Sequence, residues 1–398
     1  MFEEIVMDQH VKTRLTKVLD AEGLDALVAT TPENLQYVTG FRSIAHALFR
    51  GLELYGVFTR QGVGLVIPFI DSTGVSADGI QVDRIACYGN FFFNYTDEPG
   101  PIATRVREIT SRPAAGPGEA LREILDGFGV AAGRLAVDEA GVFPATWQRL
   151  GEQLAGATIT PAYAHFRTAR MVKSSREVAC LERAARIAED GIAAIWGMLK
   201  PGVTEREAAS AFEQEVIRRG AQTFFTVVTI GPHRAALADV YASETALKAG
   251  DLVRLDLGCV YQGYRSDISR TALLGTPTEK QRRYYDAIRD GEIAAIAAMK
   301  PGVPVSQIFE IGMKVTREAG MPHYQRNHVG HGIGLEPYDP PTINAAGQTV
   351  LEPGMVFCVE TPYYEHGWGG IQVEDAVEIT AAGVRRLTQS SQELQILG

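Results

Sequence analysis

The chain has 398 residues, 45% of them hydrophobic and 22% charged, and its 38 Lys+Arg against 48 Asp+Glu leave a formal net charge of −10. That composition excludes a disordered chain, a collagen-like chain and a small disulfide scaffold, and the length predicts two or three domains. An acidic balance with no Lys/Arg run argues against nucleic acid or an anionic membrane as the main partner.

The N-terminal MFEEIVMDQH is acidic and has no apolar core of the kind a secretion signal needs. Helical periodicity then runs through Val11 to Leu19 and Ala120 to Leu125, and strand-like runs occur at Ala26 to Ala29, Val63 to Pro68 and Leu135 to Val137. This alternation predicts an α/β domain over residues 1–165. The longest apolar run, Val63 to Ile70, is broken by Gly64 and Pro68 and is too short to span a bilayer. Pro113 and Pro117 mark a surface turn. Ala162 to Lys173 reads as the joint to a second domain, 166–398. A long amphipathic helix follows from Ser175 to Leu199, with Ser174 and Ser175 as N-cap candidates and Pro201-Gly202 as its stop. Cys87, Cys180, Cys259 and Cys358 stand singly, which predicts reduced, buried thiols and a cytoplasmic location.

The second domain carries a repeat. Lys200-Pro201-Gly202-Val203 leads through a helical pattern to Gly220, and Lys300-Pro301-Gly302-Val303 leads through another to Gly320. The constant offset of 100 residues predicts two related halves about a pseudo-two-fold axis.

Each half holds a hairpin with paired carboxylates. Leu252 to Val260 is apolar and β-prone around Asp256, and Gly263 to Ala272 returns with Asp267. A turn at Tyr261-Gln262 sets these acids opposite each other, with Cβ atoms roughly 5 Å apart. Met355 to Thr361 carries Glu360, and Gly370 to Ile379 returns with Glu374 about a tip at Gly367. Carboxylates that close repel each other and cost much to bury unpaired, so a cation between them is expected. Between the hairpins lies His331, inside Gly330-His331-Gly332-Ile333-Gly334. No dinucleotide fingerprint surrounds these glycines, and His331 reads as a fifth ligand. The set is Asp256, Asp267, His331, Glu360 and Glu374. Its four negative charges match two divalent cations, and its oxygen-rich donors favour Mn²⁺, with Co²⁺ or Zn²⁺ feasible.

The ordering, with gaps of 11, 64, 29 and 14 residues, resembles the pita-bread metallopeptidases: methionine aminopeptidase, aminopeptidase P, prolidase and the metal-free creatinase. The pattern is nearest to the Xaa-Pro dipeptidases (prolidases). Leu255-Asp256-Leu257-Gly258, Ser266-Asp267-Ile268-Ser269-Arg270-Thr271, Gly330-His331-Gly332 and Val373-Glu374-Asp375 carry it, together with Pro32-Glu33-Asn34-Leu35-Gln36-Tyr37-Val38-Thr39-Gly40-Phe41 near the N-terminus. The resemblance implies an α/β (α+β) chain, with a creatinase-like α/β N-terminal domain followed by a pita-bread catalytic domain of pseudo-two-fold symmetry. It implies hydrolysis of Xaa-Pro dipeptides at a dinuclear centre, with Asp267 and Glu374 bridging, Asp256 on one ion, and His331 and Glu360 on the other. Glu360 doubles as proton acceptor. His328, set against the family's H-x-x-G-H pattern, donates to the oxyanion. The partners implied are a small peptide and a second copy of the chain, whose site Arg42 and His46 are placed to reach, but no nucleic acid and no membrane.

Three positions depart from the prolidase pattern. Ala238-Asp239-Val240 and Tyr338 stand where it has His, and Gln372 stands where it has Arg. Asp239, Tyr338, Gln372 and His233 are therefore the candidate substrate contacts, with Arg234 placed to compensate. The departures keep two alternatives open: aminopeptidase P-like cleavage of longer Xaa-Pro peptides, and creatinase-type hydrolysis of a non-peptide C–N bond. A pita-bread binding module is disfavoured by the complete ligand set.

Overall fold

The computed structural model describes residues 5–398, which divide into two compact units, one ending at Arg170 and one spanning Met171–Gly398. The first is an α/β unit around a six-stranded mixed sheet. Its strand order is Arg84–Tyr88, Val63–Pro68, Tyr55–Thr59, Ala26–Ala29, Arg134–Val137, Thr158–Pro161. The helices Gln9–Glu22 and Pro117–Gly127 cover their expected segments. Pro117, expected in a surface turn, instead opens its helix, where its missing N–H costs nothing. The Pro32–Thr39 segment is a short helix capped by the Thr31 side chain.

The second unit is built on a ten-stranded sheet. Its main path runs Asp339–Thr342, Gly330–Gly332, Val356–Glu360, Glu374–Thr380, Ile268–Leu274, Leu252–Tyr261, Gln222–Ile230. The expected pseudo-two-fold passes between the fourth and fifth of these strands. Each half contributes a long helix, Ser175–Met198 or Glu279–Ala298, then a shorter one, Glu205–Arg218 or Val305–Glu318. Capping boxes at Ser174/Glu177 and Thr278/Gln281 start the two long helices. The offset of 100 recurs in three dimensions. Gly191 lets Phe212 approach at one helix crossing, and Gly291 lets Thr316 approach at the other. A Cβ at either glycine has no room, so the helices meet only because it is absent. Each half buries its own apolar cluster, one around Phe212, Leu255 and Ile268, the other around Ile308, Phe357 and Val377.

Register corrects one expectation. The first hairpin turns at Gln262-Gly263, both at positive φ, and Tyr261 pairs with Tyr264. Asp256 therefore faces Ser269, not Asp267. The shift is two residues, so side-chain parity survives and the two acids are diagonal neighbours on one face. In the second hairpin Glu360 lies directly opposite Glu374, as expected.

Candidate metal centre

The two hairpins meet where the Ile268–Leu274 and Glu374–Thr380 strands pair through Ser269 and Glu374. That junction collects the acids. Ser269 is buried and donates its hydroxyl to Glu374 Oε2 at 2.8 Å. His331 enters from the Gly330–Gly332 strand beyond Val356–Glu360, paired with Cys358 and Thr342. Gly330 and Gly332 serve strand packing here. A Cβ at Gly332 comes within 2.6 Å of the Asp339 and Pro340 carbonyl oxygens.

Asp267, His331 and Glu374 each offer a donor atom, all within 4.8 Å of one another, and all three residues are buried. His331 Nδ1 lies 3.1 Å from the Gly332 carbonyl, and Nε2 lies 3.8 Å from Asp267 Oδ2. With Nδ1–H bonded to backbone, the Nε2 lone pair faces the carboxylates. Glu360 and Asp256 complete the set around a cavity of about 590 Å³ whose lining includes all five residues.

The electrostatics favour a positive counter-charge among these acids. Burial first, then the neighbouring Asp256 and Glu360 charges, holds Asp267 well above the usual carboxylate range. Glu374 is raised in the same way, by burial and then by Asp267. Burial raises Asp256 against the opposing pull of Arg254, and pushes Glu360 up to about 7 against that of Arg326. Burial lowers His331 to about 4, so it is neutral. Asp267 Oδ1 is buried and meets no donor among the described residues. Four crowded acids, a neutral imidazole and an orphaned carboxylate oxygen fit a divalent-cation site.

Of the other sequence candidates, Asp239, Tyr338 and Gln372 line the cavity, whereas exposed His233 does not. Tyr338 stacks on His331, ring centroids 3.7 Å apart at 19°. Gln372 is buried and gives Nε2 to Glu360 Oε2 at 3.4 Å. His328 stands three residues before His331, so the H-x-x-G-H spacing falls on Asn327. His328 is nonetheless the residue beside the acids, its Nδ1 3.4 Å from Glu360 Oε1.

Sequence reading missed two arginines. Arg254 is fully buried and spends all five N–H groups, on the Ala235, Leu237 and Ala238 carbonyls, Asp256 Oδ2 and Gln372 Oε1. Arg326 Nη2 lies 3.5 Å from Glu360 Oε2. A charge inside an apolar strand, two positions from Asp256 and hence on its face, is the signal that marks Arg254. Arg326 has no comparable sequence signal.

Residues 179–381 match metallopeptidase family M24, and residues 12–172 match the creatinase/prolidase N-terminal domain. An Xaa-Pro dipeptidase of Pyrococcus furiosus is 37% identical over 227 residues, which are 56% of this chain and 65% of that protein. The match thus spans less than two thirds of that relative. An Xaa-Pro dipeptidase of Lactobacillus delbrueckii subsp. lactis is 28% identical over 96% of this chain and 98% of its own length. Among solved structures, an Xaa-Pro dipeptidase from Bacillus anthracis superposes with a TM-score of 0.82 at 25% identity, over 97% of this chain and 99% of that one.

Proposed function

The chain belongs to metallopeptidase family M24, and from that premise we propose that it hydrolyses the Xaa-Pro bond of dipeptides with two divalent cations, Mn²⁺ by preference. Asp256, Asp267, His331, Glu360 and Glu374 would hold the ions. The observation that carries this reading is the buried convergence of Asp267, His331 and Glu374, with Asp267 Oδ1 meeting no partner among the described residues. Cations bound there would act as Lewis acids, lowering the pKa of a water and polarising the scissile carbonyl.

The side chains supply the rest. Glu360, the acid of the set that lies beside His328, suits a group that takes a proton from water and hands it to the leaving nitrogen. Gln372 Nε2 and the Arg326 guanidinium limit its rotation. His328, lowered to about 4 by burial and then by Arg326, is neutral at pH 7 and can donate one N–H to the developing oxyanion. Tyr338 and Asp239 line the space left for substrate. The reading includes a cytoplasmic homodimer. Four buried cysteines that form no disulfide support a reducing compartment, and scattering in solution tests the dimer.

The decisive experiment combines elemental analysis with hydrolysis of Ala-Pro, Ala-Ala, Ala-Pro-Ala and creatine. About two metals per chain and chelator-sensitive cleavage of Ala-Pro are expected. A metal-repleted protein inert towards every Xaa-Pro peptide overturns the reading.

A further inference from the structure

Two divalent cations balance the four carboxylates of the ligand set. The cavity around that set holds more negative charge than this. Glu213 and Asp239 also line it, and no Lys or Arg does. Neither carboxylate makes a hydrogen bond or an ion pair among the described residues. The neighbouring cations are spent elsewhere. Arg254 is saturated, and Arg234 is paired with Glu205. Arg265 donates to the Leu335 carbonyl and lies over the Phe224 ring at 4.3 Å. After burial and nearer charges, the Asp239 charge also raises Asp256, Asp267 and Glu360, which sets it close to the ligands. Two negative charges thus stand unmatched in the space left for substrate.

Strand order decides which part of a substrate meets them. The sheet runs from Val356–Glu360 through Glu374–Thr380, Ile268–Leu274 and Leu252–Tyr261 to Gln222–Ile230 at its edge. Glu360 hands its proton to the leaving nitrogen, so the proline half of the substrate lies toward Val356–Glu360. The acyl half, the Xaa residue, extends the other way, past Asp256 and over Gln222–Ile230. The floor there is apolar. Val227 lies opposite Asp256 and Phe225 opposite Gly258, and a Cβ at Gly258 would come within 2.3 Å of the Phe225 ring. Both acids belong to this side. Asp239 lies in the connection between Gln222–Ile230 and Leu252–Tyr261, and Glu213 is on Glu205–Arg218, the helix that packs on Gln222–Ile230. An apolar floor that ends in two carboxylates suits a side chain with a methylene stem and a cationic head. The rings of Phe224 and Tyr241, in the same lining, favour a cation as well.

We propose that Glu213 and Asp239 are specificity-determining residues that select Lys or Arg as the Xaa residue. The inference rests on the Xaa-Pro reading above and names its substrate class, dipeptides with a basic amino-terminal side chain. The methylenes of that side chain lie along Phe225 and Val227, and its charge meets the two carboxylates. A neutral Xaa leaves both acids unmatched, and an acidic Xaa is repelled by them.

The test compares Lys-Pro with norleucyl-proline, its uncharged analogue, on the metal-loaded protein, with metal content and thermal midpoint as controls. Wild type should prefer Lys-Pro by about 10-fold in kcat/KM, with the preference in KM. That is the lower end for a charge-assisted bond, because both acids are partly open to solvent. Glu213→Gln and Asp239→Asn should each narrow the ratio of the two substrates, and the double variant should abolish it. Equal cleavage of Lys-Pro and norleucyl-proline by wild type overturns the proposal. So does a preference that survives in the double variant. If no Xaa-Pro peptide is cleaved, the Xaa-Pro reading fails, and calorimetry with L-lysine and L-norleucine on the metal-loaded protein still decides the acidic subsite. Tighter binding of L-lysine, lost in the double variant, supports it, and equal or absent binding removes it.

Discussion

Arg254 Nη1 donates to Gln372 Oε1 at 2.8 Å. That bond orients the amide so that its Nε2 turns to Glu360. Gln372 stands where the prolidase pattern has Arg, and the guanidinium here comes from the Leu252–Tyr261 strand instead. The same Arg254 holds Asp256 Oδ2 at 3.2 Å and three carbonyls of the 235–238 turn, which leads into the cavity-lining residues Asp239, Val240 and Tyr241.

Removing Arg254 strands buried acceptors. Arg254→Met should cost about 3–5 kcal/mol of stability, the scale for breaking one side of a buried charged network. It should also weaken metal binding by roughly 10- to 100-fold through Asp256 and Gln372. Gln372→Arg alone should destabilise by crowding two guanidiniums. The double variant should recover at least about 1 kcal/mol relative to the sum of the singles. Denaturant titration and metal titration of all four proteins check this, and strict additivity would contradict the exchange.

Stripping the metal should make stability depend on pH in a defined direction. Asp267, Glu374 and Asp256 have folded pKa values raised first by burial. The stripped fold therefore binds more protons than the unfolded chain above about pH 4, where free carboxylates ionise. Its stability is fully present below that point and falls as pH rises through the folded values. Metal needs the ligands deprotonated, so the loaded protein gains what the stripped one loses. Thermal midpoints with and without chelator between about pH 5 and pH 8 should diverge as pH rises. A constant gap would refute the crowding.

Four of the five candidate ligands stood out in the sequence because acids inside apolar strands, at spacings that put them on one face, have few structural uses. The Glu360–Glu374 pairing followed from the tip at Gly367 alone. The Asp256–Asp267 register came out two residues off because Gly263 takes the positive φ of a two-residue turn and draws the turn one position later. Parity preserved the face, so the chemical reading was unaffected. Arg254 and Arg326 acquire their roles from carbonyls and carboxylates brought in by distant loops and strands, and sequence periodicity does not encode those approaches.

Glu292 is a buried acid outside the ligand set. Its Oε2 accepts from Gln392 Nε2 at 2.5 Å, and its Oε1 lacks a partner among the described residues. Burial first, then the Asp375 charge and hydrogen bond, holds its pKa well above the usual range. That shift favours the protonated acid beside Asp375, which Arg270 and Arg386 bind as a carboxylate. Its contribution to stability is fully present below about pH 4.3, the unfolded value, and declines as pH rises through the folded value. Glu292→Gln mimics the protonated acid. Urea titrations across neutral pH should find the variant at least as stable as wild type and less sensitive to pH. A large loss of stability at neutral pH would mean that Glu292 is ionised there.

Tyr338 covers His331 with a stacked ring while its own side lines the cavity. Two roles are thus superimposed, holding the imidazole and meeting substrate, and two substitutions separate them. Tyr338→Phe keeps the stack and removes the hydroxyl, so metal affinity should hold within about 3-fold while KM shifts if the hydroxyl meets substrate. Tyr338→Ala frees the ring of His331, and losing a group that orients a ligand should cost roughly 10- to 100-fold in metal affinity. Competition against a metal-sensitive dye reads the first effect, and steady-state kinetics at saturating metal reads the second. Should Tyr338→Ala bind metal like wild type, the strand pairing of His331 with Cys358 and its Nδ1 bond to Gly332 fix the ligand unaided, and the aromatic ring belongs to substrate alone.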